Sequence, residues 1–355
     1  MDTPAQVGRN EKGMVLIYVA ILVVLLFGFL GLAVDTGRLF KVRTELQNAA
    51  DAAALKGAYH LYTVPTDPTE LPVLQWDVAR LQAEQMITEN RSDNIALKDA
   101  VVEVGYWNMS SHTLQSTTLA APTAHDVPAV RVVASRSAGN NGGPVANFFM
   151  QLFKEPETAV GSRPAVAVKG APSAMPPGGL FPMALSSCMT DSYFKQNPLP
   201  DPPPTIKIYG PYGPGGPNCY SGQWTSFKTG ASDTDTLRDL MYEGNSGTLA
   251  TGDYIFIEPG AKAAAYSPIL TNWLPEGGKD VIMAVVNTYT SDGSDPLSSK
   301  GELQITGFAT FHIDTAVGGS DKAVYGHFIG FSTTPPGATP GGPFSGALTL
   351  PVLVQ

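Results

Sequence analysis

The sequence contains none of the spacings that normally hold a metal or a nucleotide. Its five histidines, His60, His112, His125, His312 and His327, stand apart, with no H-x-x-x-H pair and no Cys/His cluster. That removes the usual zinc frameworks. No Gly-rich phosphate loop, dinucleotide fingerprint or G-x-S-x-G elbow occurs. Blocks of like charge are missing too, so there is no acidic or basic tail to explain. The net charge of −9 argues against a general nucleic-acid binder, which needs a basic face for phosphate. Cysteine is scarce. Cys188 and Cys219 are the two present, close together in a loop-rich region. An isolated pair in a translocated domain reads as one disulfide, two buried thiols in a cytosolic domain being the alternative. Closing that loop stabilises by about 3–4 kcal/mol on the chain-entropy picture.

What is abundant is concentrated at the other end. Met14 to Val34 form one apolar run without charge or proline, and fifteen of its residues are Leu, Ile, Val or Phe. At about 1.5 Å per residue the run spans roughly 30 Å, the thickness of a bilayer core. Its apolar side chains favour insertion by something on the order of 5 kcal/mol. A second run of this kind does not occur. A cleaved signal peptide ending near Gly31-Leu32-Ala33 is the rival reading, but the run exceeds the usual ~7–15 residues of a signal core. Arg9 and Lys12 precede the run, while Arg38, Lys41 and Arg43 follow it, so flanking charge does not set the orientation. The short N-terminus and the cysteine pair favour N-inside, C-outside, in the inner (cytoplasmic) membrane.

Helical patterning continues beyond the run. Leu39, Val42, Leu46, Ala49 and Ala53 recur at three- and four-residue steps. Ala-rich stretches around residues 49–54 permit close approach of another backbone. Pro65 and Pro68 end the helix, expected over residues 14–61 as anchor and stalk. A second helix is expected over residues 73–90, strands over 99–108 and 127–135, a short apolar helix over 145–153 and a strand over 158–169. The 37 glycines and 30 prolines are high for a globular chain and fit short strands joined by turns. Strands are expected at 180–186, 205–209, 252–258, 280–289, 302–314 and 322–331, with one helix at 234–242. The fold class is therefore α+β: an N-terminal transmembrane helix extended as a stalk, a small α+β layer, then a mainly β C-terminal domain, sandwich or open barrel. The division is a tail over 1–13, the span over 14–34, a juxtamembrane helix over 35–64, an α+β domain over 65–170, a Pro/Gly linker over 171–179 and the β domain over 180–355.

Val34-Asp35-Thr36-Gly37-Arg38-Leu39 and Glu45-Leu46-Gln47-Asn48-Ala49-Ala50-Asp51-Ala52-Ala53-Ala54-Leu55 follow the span. Preceded by Arg9 and Gly13, this block resembles the TadG-like proteins of tight-adherence (Flp) pilus assembly. Val104-Gly105-Tyr106-Trp107, the stretch Pro144 to Phe149 and Gly307-Phe308-Ala309 also look like that family. The resemblance implies a non-enzymatic, single-pass component of the pilus-assembly apparatus acting through protein–protein contacts of its extracytoplasmic part. Its implied partners are the membrane and other pilus-assembly or pseudopilin-like proteins, with no nucleic acid, no small-molecule substrate and no cofactor. Asp35, Arg38, Gln47, Asn48, Ala50, Asp51 and Ala53 are the candidates for contact with partner helices; the plainer alternative is an interface anchor. The other readings are a minor-pilin-like subunit and a membrane-tethered ligand-binding or hydrolytic ectodomain.

Several departures narrow the choice. The D-x-S-x-S metal motif of the von Willebrand A-like domain in larger relatives is not matched: Asn287, Tyr289 and Ser291 stand at those positions. Tyr18 stands where prepilin processing after Gly13 wants an acid. Gly244-Asn245-Ser246-Gly247 lacks the acid of a protease signature and reads as a turn. His312 and Asp314 share a strand face and read as a cross-strand polar contact. Asp292, Ser294 and Asp295 read as an acidic turn rather than a Ca²⁺ loop.

Overall fold

A computed structural model describes residues 11–67, 70–123, 125–209, 221–231, 233–259, 272–288, 296–318 and 322–355. Its first element is helix α1, Glu11–Tyr59, 49 residues long. With no proline inside it, nothing interrupts the hydrogen-bond ladder from the apolar run into the Ala-rich segment. Among the described residues this is the one helix long and apolar enough to cross a membrane. From Val15 to Val34 its side chains are exposed, Gly31 excepted. At Asp35 the environment changes: Asp35, Val42, Leu46, Ala49, Ala50, Ala53 and Ala54 are buried. At the end of the helix the buried Lys169 ammonium donates to the Tyr59 carbonyl at 3.0 Å and stands 5.2 Å from the Tyr59 ring. A cation there answers the partial negative charge of the helix end. Helix α2, Trp76–Thr88, follows within the range expected for it.

The chain divides into two compact units. The first comprises residues 1–54, 83–102 and 132–165. Besides helix it contains three small antiparallel pairs: Arg91–Ser92 with Ile95–Ala96, Ser135–Arg136 with Val160–Gly161, and Val145–Ala146 with Glu157–Thr158. Asp93 and Asn94 both have positive φ, 51° and 66°, which closes the first pair as a two-residue turn. The apolar helix expected over 145–153 does not form. Strand Val145–Ala146 is followed by a single 3₁₀ turn, Met150–Phe153, ended by Lys154 in the left-handed region. Helical spacing was a poor guide there because Phe148, Phe149, Leu152 and Phe153 point outward instead of covering a core. The strand expected over 158–169 is broken into Glu157–Thr158, Val160–Gly161 and Ala165–Val168.

The second unit comprises residues 55–82, 103–131 and 166–355. One sheet orders Val352–Leu353, Ala165–Val168, Asp126–Val133, Val101–Asn108 and Thr113–Gln115 side by side. Pro172–Met175, inside the Pro/Gly-rich stretch, is a strand between Leu249–Ala250 and Thr339–Pro340. The larger sheet uses β1 (Met183–Ser186), β2 (Ile206–Tyr209), β3 (Gly222–Phe227), β4 (Tyr254–Ile257), β5 (Lys279–Val286), β6 (Gly301–Val317) and β7 (Ala323–Phe328). Its order is β2-β7-β6-β4-β3-β1-β5, and β5 pairs back onto β6. Strands β6, β4, β3, β1 and β5 therefore close a ring, all antiparallel except the parallel contact of β1 with β5. Seventeen residues of β6 serve three neighbours in turn: β4 near its start, β5 through its middle, and β7 at its end.

Period-two alternation divides the strand residues between two buried clusters. Met183, Leu185, Val281, Met283, Val285, Trp224 and Phe311 join one. Ala184, Ile282, Ala284, Val286, Ile255, Ile257 and Phe308 join the other. Two helices were met on the way: α3, Ser187–Phe194, which the sequence reading did not expect, and α4, Thr234–Glu243, which it did. Asp233 caps α4 by accepting from the Thr236 amide at 2.8 Å.

Candidate functional site: polar clasps along the N-terminal helix

Four side chains of α1 reach to turns of the first unit. Asp35, directly after the apolar run, is 1% exposed. Its carboxylate accepts from three consecutive amides, those of Phe148 at 2.9 Å, Phe149 at 2.8 Å and Met150 at 2.7 Å. These amides open the 3₁₀ turn, where backbone donors have no partner of their own. Phe149, at the cap position, offers no side-chain acceptor. Asp35 thus supplies from a distant helix what a local Ser, Asp or Asn would supply.

Arg38, one helical turn on, donates to Asp93 at 2.6 Å and to the Ala146 carbonyl at 2.8 Å, and its guanidinium stands 4.8 Å from the Phe148 ring centre. Asp93 is held below the usual carboxylate range, first by the Arg38 hydrogen bond and further by the charges of Arg38 and Arg136. Glu45 accepts from the Asp93 amide at 2.7 Å, so both ends of that turn residue are tied to α1. Gln47 accepts from the Arg163 amide at 2.9 Å and donates to Asp51 at 2.8 Å. Ala50 and Ala53 are fully buried, and Asn48 is exposed. Of the residues expected at partner helices, Asp35, Arg38, Gln47 and Asp51 have these intrachain bonds.

Two further structural residues escaped the sequence reading. Asn141, buried at φ 47°, accepts from the Lys98 and Asp99 amides and donates to the carbonyls of Asp99 and Ser135. Asn147 donates to the Glu155 carbonyl and the Thr158 hydroxyl. Both bind backbone of residues remote in sequence or across a turn, and only an asparagine inside a Gly- or Phe-rich stretch hints at it.

The remaining polar motifs are accounted for locally. Asn245 of the Gly-Asn-Ser-Gly stretch accepts from the Leu180 amide and donates to the carbonyls of Pro176 and Gly247, a turn staple. His312 meets Asp280 across β6 and β5 at 2.6 Å, and His327 meets Asp314 at 3.3 Å, so these are cross-strand contacts. Among the described residues no group of three or more His, Cys, Asp or Glu is placed to hold a metal. Arg9, Pro68, Cys219, Tyr289, Ser291, Asp292, Ser294 and Asp295 lie outside the described residues.

The arrangement is a long helix, apolar over its first part and fastened by polar clasps to turns of its own unit over its second. Residues 13–60 match the TadE/G-like family of Flp pilus assembly, and residues 42–163 match the Tad-like Flp pilus-assembly family. Over residues 13–163 the chain is TadG-like, similar to proteins of the tight-adherence system and of Flp pilus assembly. Curated proteins and solved structures give no match.

Proposed function

We propose that this protein is a single-pass, non-enzymatic component of the Flp pilus apparatus. The apolar run of α1 anchors it in the inner membrane with the N-terminus inside, and the bulk of the chain meets other pilus-assembly or pseudopilin-like proteins outside. The observation that carries this reading is the change along α1 at Asp35. Before it the helix offers apolar side chains to its surroundings on every side; after it the helix is embedded by polar and Ala contacts. A bilayer is the environment that satisfies the first part. The exposed juxtamembrane face, with Phe40, Lys41, Thr44 and Asn48, is left for partner helices. Oxidation of Cys188 with Cys219 belongs to the same placement.

Site-specific crosslinking from Asn48 in cells tests the contact. Crosslinks to other proteins of the pilus system, lost in Phe40→Glu while the protein stays in the membrane fraction, are expected. Unchanged crosslinking would remove this face from the proposal. Intact-mass analysis with and without reductant and alkylation reads the disulfide and the N-terminus together. A new N-terminus at Met14 would move the assignment to a minor-pilin-like subunit.

A further inference from the structure

The loop between Val145–Ala146 and Glu157–Thr158 carries the largest apolar side chains that the first unit leaves uncovered outside α1. Leu152 is 79% and Phe153 71% exposed, and Phe148 and Phe149 are exposed beside them. Four such side chains within six residues form a patch, and such patches mark a surface that meets something apolar. What they meet follows from where the loop is fastened. The ring of Phe149 lies against Gly31, so closely that a Cβ at Gly31 would come within 2.5 Å of it. Gly31 is three residues inside the apolar run, about 4.5 Å along the helix from its end. The three amides opening the 3₁₀ turn are held by Asp35, one residue beyond the run. Leu30 and Val34, on the same stretch of helix, are exposed as well.

We propose that residues 148–153 insert into the interfacial layer of the bilayer beside the anchor helix, as a second and shallow membrane contact. The partner is phospholipid at the boundary of headgroup and acyl chain. An apolar surface at that depth is where interfacial segments lie, buried by about 5–10 Å. The polar groups of the loop suit that level. Arg38 lies over the Phe148 ring and binds the Ala146 carbonyl. Lys154 and Glu155 end the turn on its exposed side, where they reach the headgroups. The clasps then have a role beyond packing: they fix the height of the loop relative to the span. This inference rests on the anchoring of the 14–34 run proposed above.

The test uses the full-length protein in phospholipid vesicles, with tryptophan placed at Phe153→Trp, at Leu152→Trp, and at Tyr18→Trp within the span. Each variant is compared with the parent protein, so that the native tryptophans are subtracted. Lipids brominated high on the acyl chain report contact with the bilayer, and aqueous acrylamide reports contact with water. The expected result is that the added tryptophans at 152 and 153 lose most of their emission to bromine, move to shorter wavelength, and resist acrylamide. Quenching of Tyr18→Trp by bromine, with positions 152 and 153 quenched by acrylamide alone, would overturn the inference and leave the anchor standing. Positions 152 and 153 shielded from both quenchers would mean burial against a second copy of the chain, which also overturns it. A Tyr18→Trp insensitive to bromine would remove the anchor itself and this inference with it.

Discussion

Asp35 shows how one side chain can organise a turn more than a hundred positions away. Its carboxylate replaces a local cap for the 3₁₀ turn at Met150–Phe153, so Asp35→Ala leaves three amides without their acceptor. Hydrogen exchange at Phe148, Phe149 and Met150 is expected to accelerate at least tenfold in that variant, with the helical circular dichroism unchanged. Asp35→Asn, which retains one acceptor oxygen, falls between. Asp126 poses a cleaner question about pH. The Thr123 hydroxyl and amide, then Asn108 and Gln115, donate to its carboxylate and hold its pKa at about 2 despite burial. A lowered carboxyl pKa means the unfolded chain binds the proton more readily. The contribution is therefore complete above the ordinary carboxyl value near 3.8 and is lost as pH falls towards 2. An NMR titration that finds Asp126 at an ordinary carboxyl pKa would contradict it. Asp126 and Asn141 were not singled out in the sequence, because nothing local distinguishes a buried acceptor from an exposed one.

Among the elements, α1 is the one most nearly determined by its own residues. Absence of proline, the apolar run and the Ala-rich stripe place it within three residues of the expected bounds at each end. The stripe also set an expectation of close backbone approach, and Ala49, Ala50 and Ala53 are fully buried. Ala53→Leu adds volume where the surroundings have no room, at a cost of about 1–3 kcal/mol, readable in denaturant unfolding of the detergent-solubilised protein. An unchanged unfolding midpoint would show that the surroundings yield. The β strands were nearly as legible: β1, β2, β4, β5, β6 and β7 fall on the apolar alternations expected for them. Strand β3 and helix α3 were not. Gln-Trp-Thr-Ser in β3 has too few apolar residues to alternate visibly, yet Gln223, Thr225 and Ser226 are buried, and Thr225 and Ser226 bond to the Phe256 carbonyl and to Glu258. The 145–153 segment failed for the opposite reason. Its apolar residues suggested an inward-facing helix, whereas they face outward.

At the scale of the whole chain, the ring of five strands depends on β5 finding two neighbours, β1 in parallel and β6 in antiparallel. Trp224 of β3 lies fully buried in one of the two clusters that the ring's alternation creates, with Phe181 6.0 Å from it. Trp224→Ala is expected to cost about 3–5 kcal/mol and to lower the melting temperature of the β part, while α1 keeps its helical signal. Joint loss of both signals would mean that the two units unfold together. The sequence by itself determined the apolar run, the helix that continues it, most strands and the resemblance to the pilus-assembly proteins. These rest on periodicity, on turn residues and on short contiguous motifs, which are local properties of the chain. The closure of the ring, the donors around Asp126 and the clasp of Asp35 on residues 148–150 were decided only by the tertiary structure. Each joins groups far apart in sequence, and whether a carboxylate there is an interface charge, a partner contact or an internal cap depends on which amides the fold brings to it.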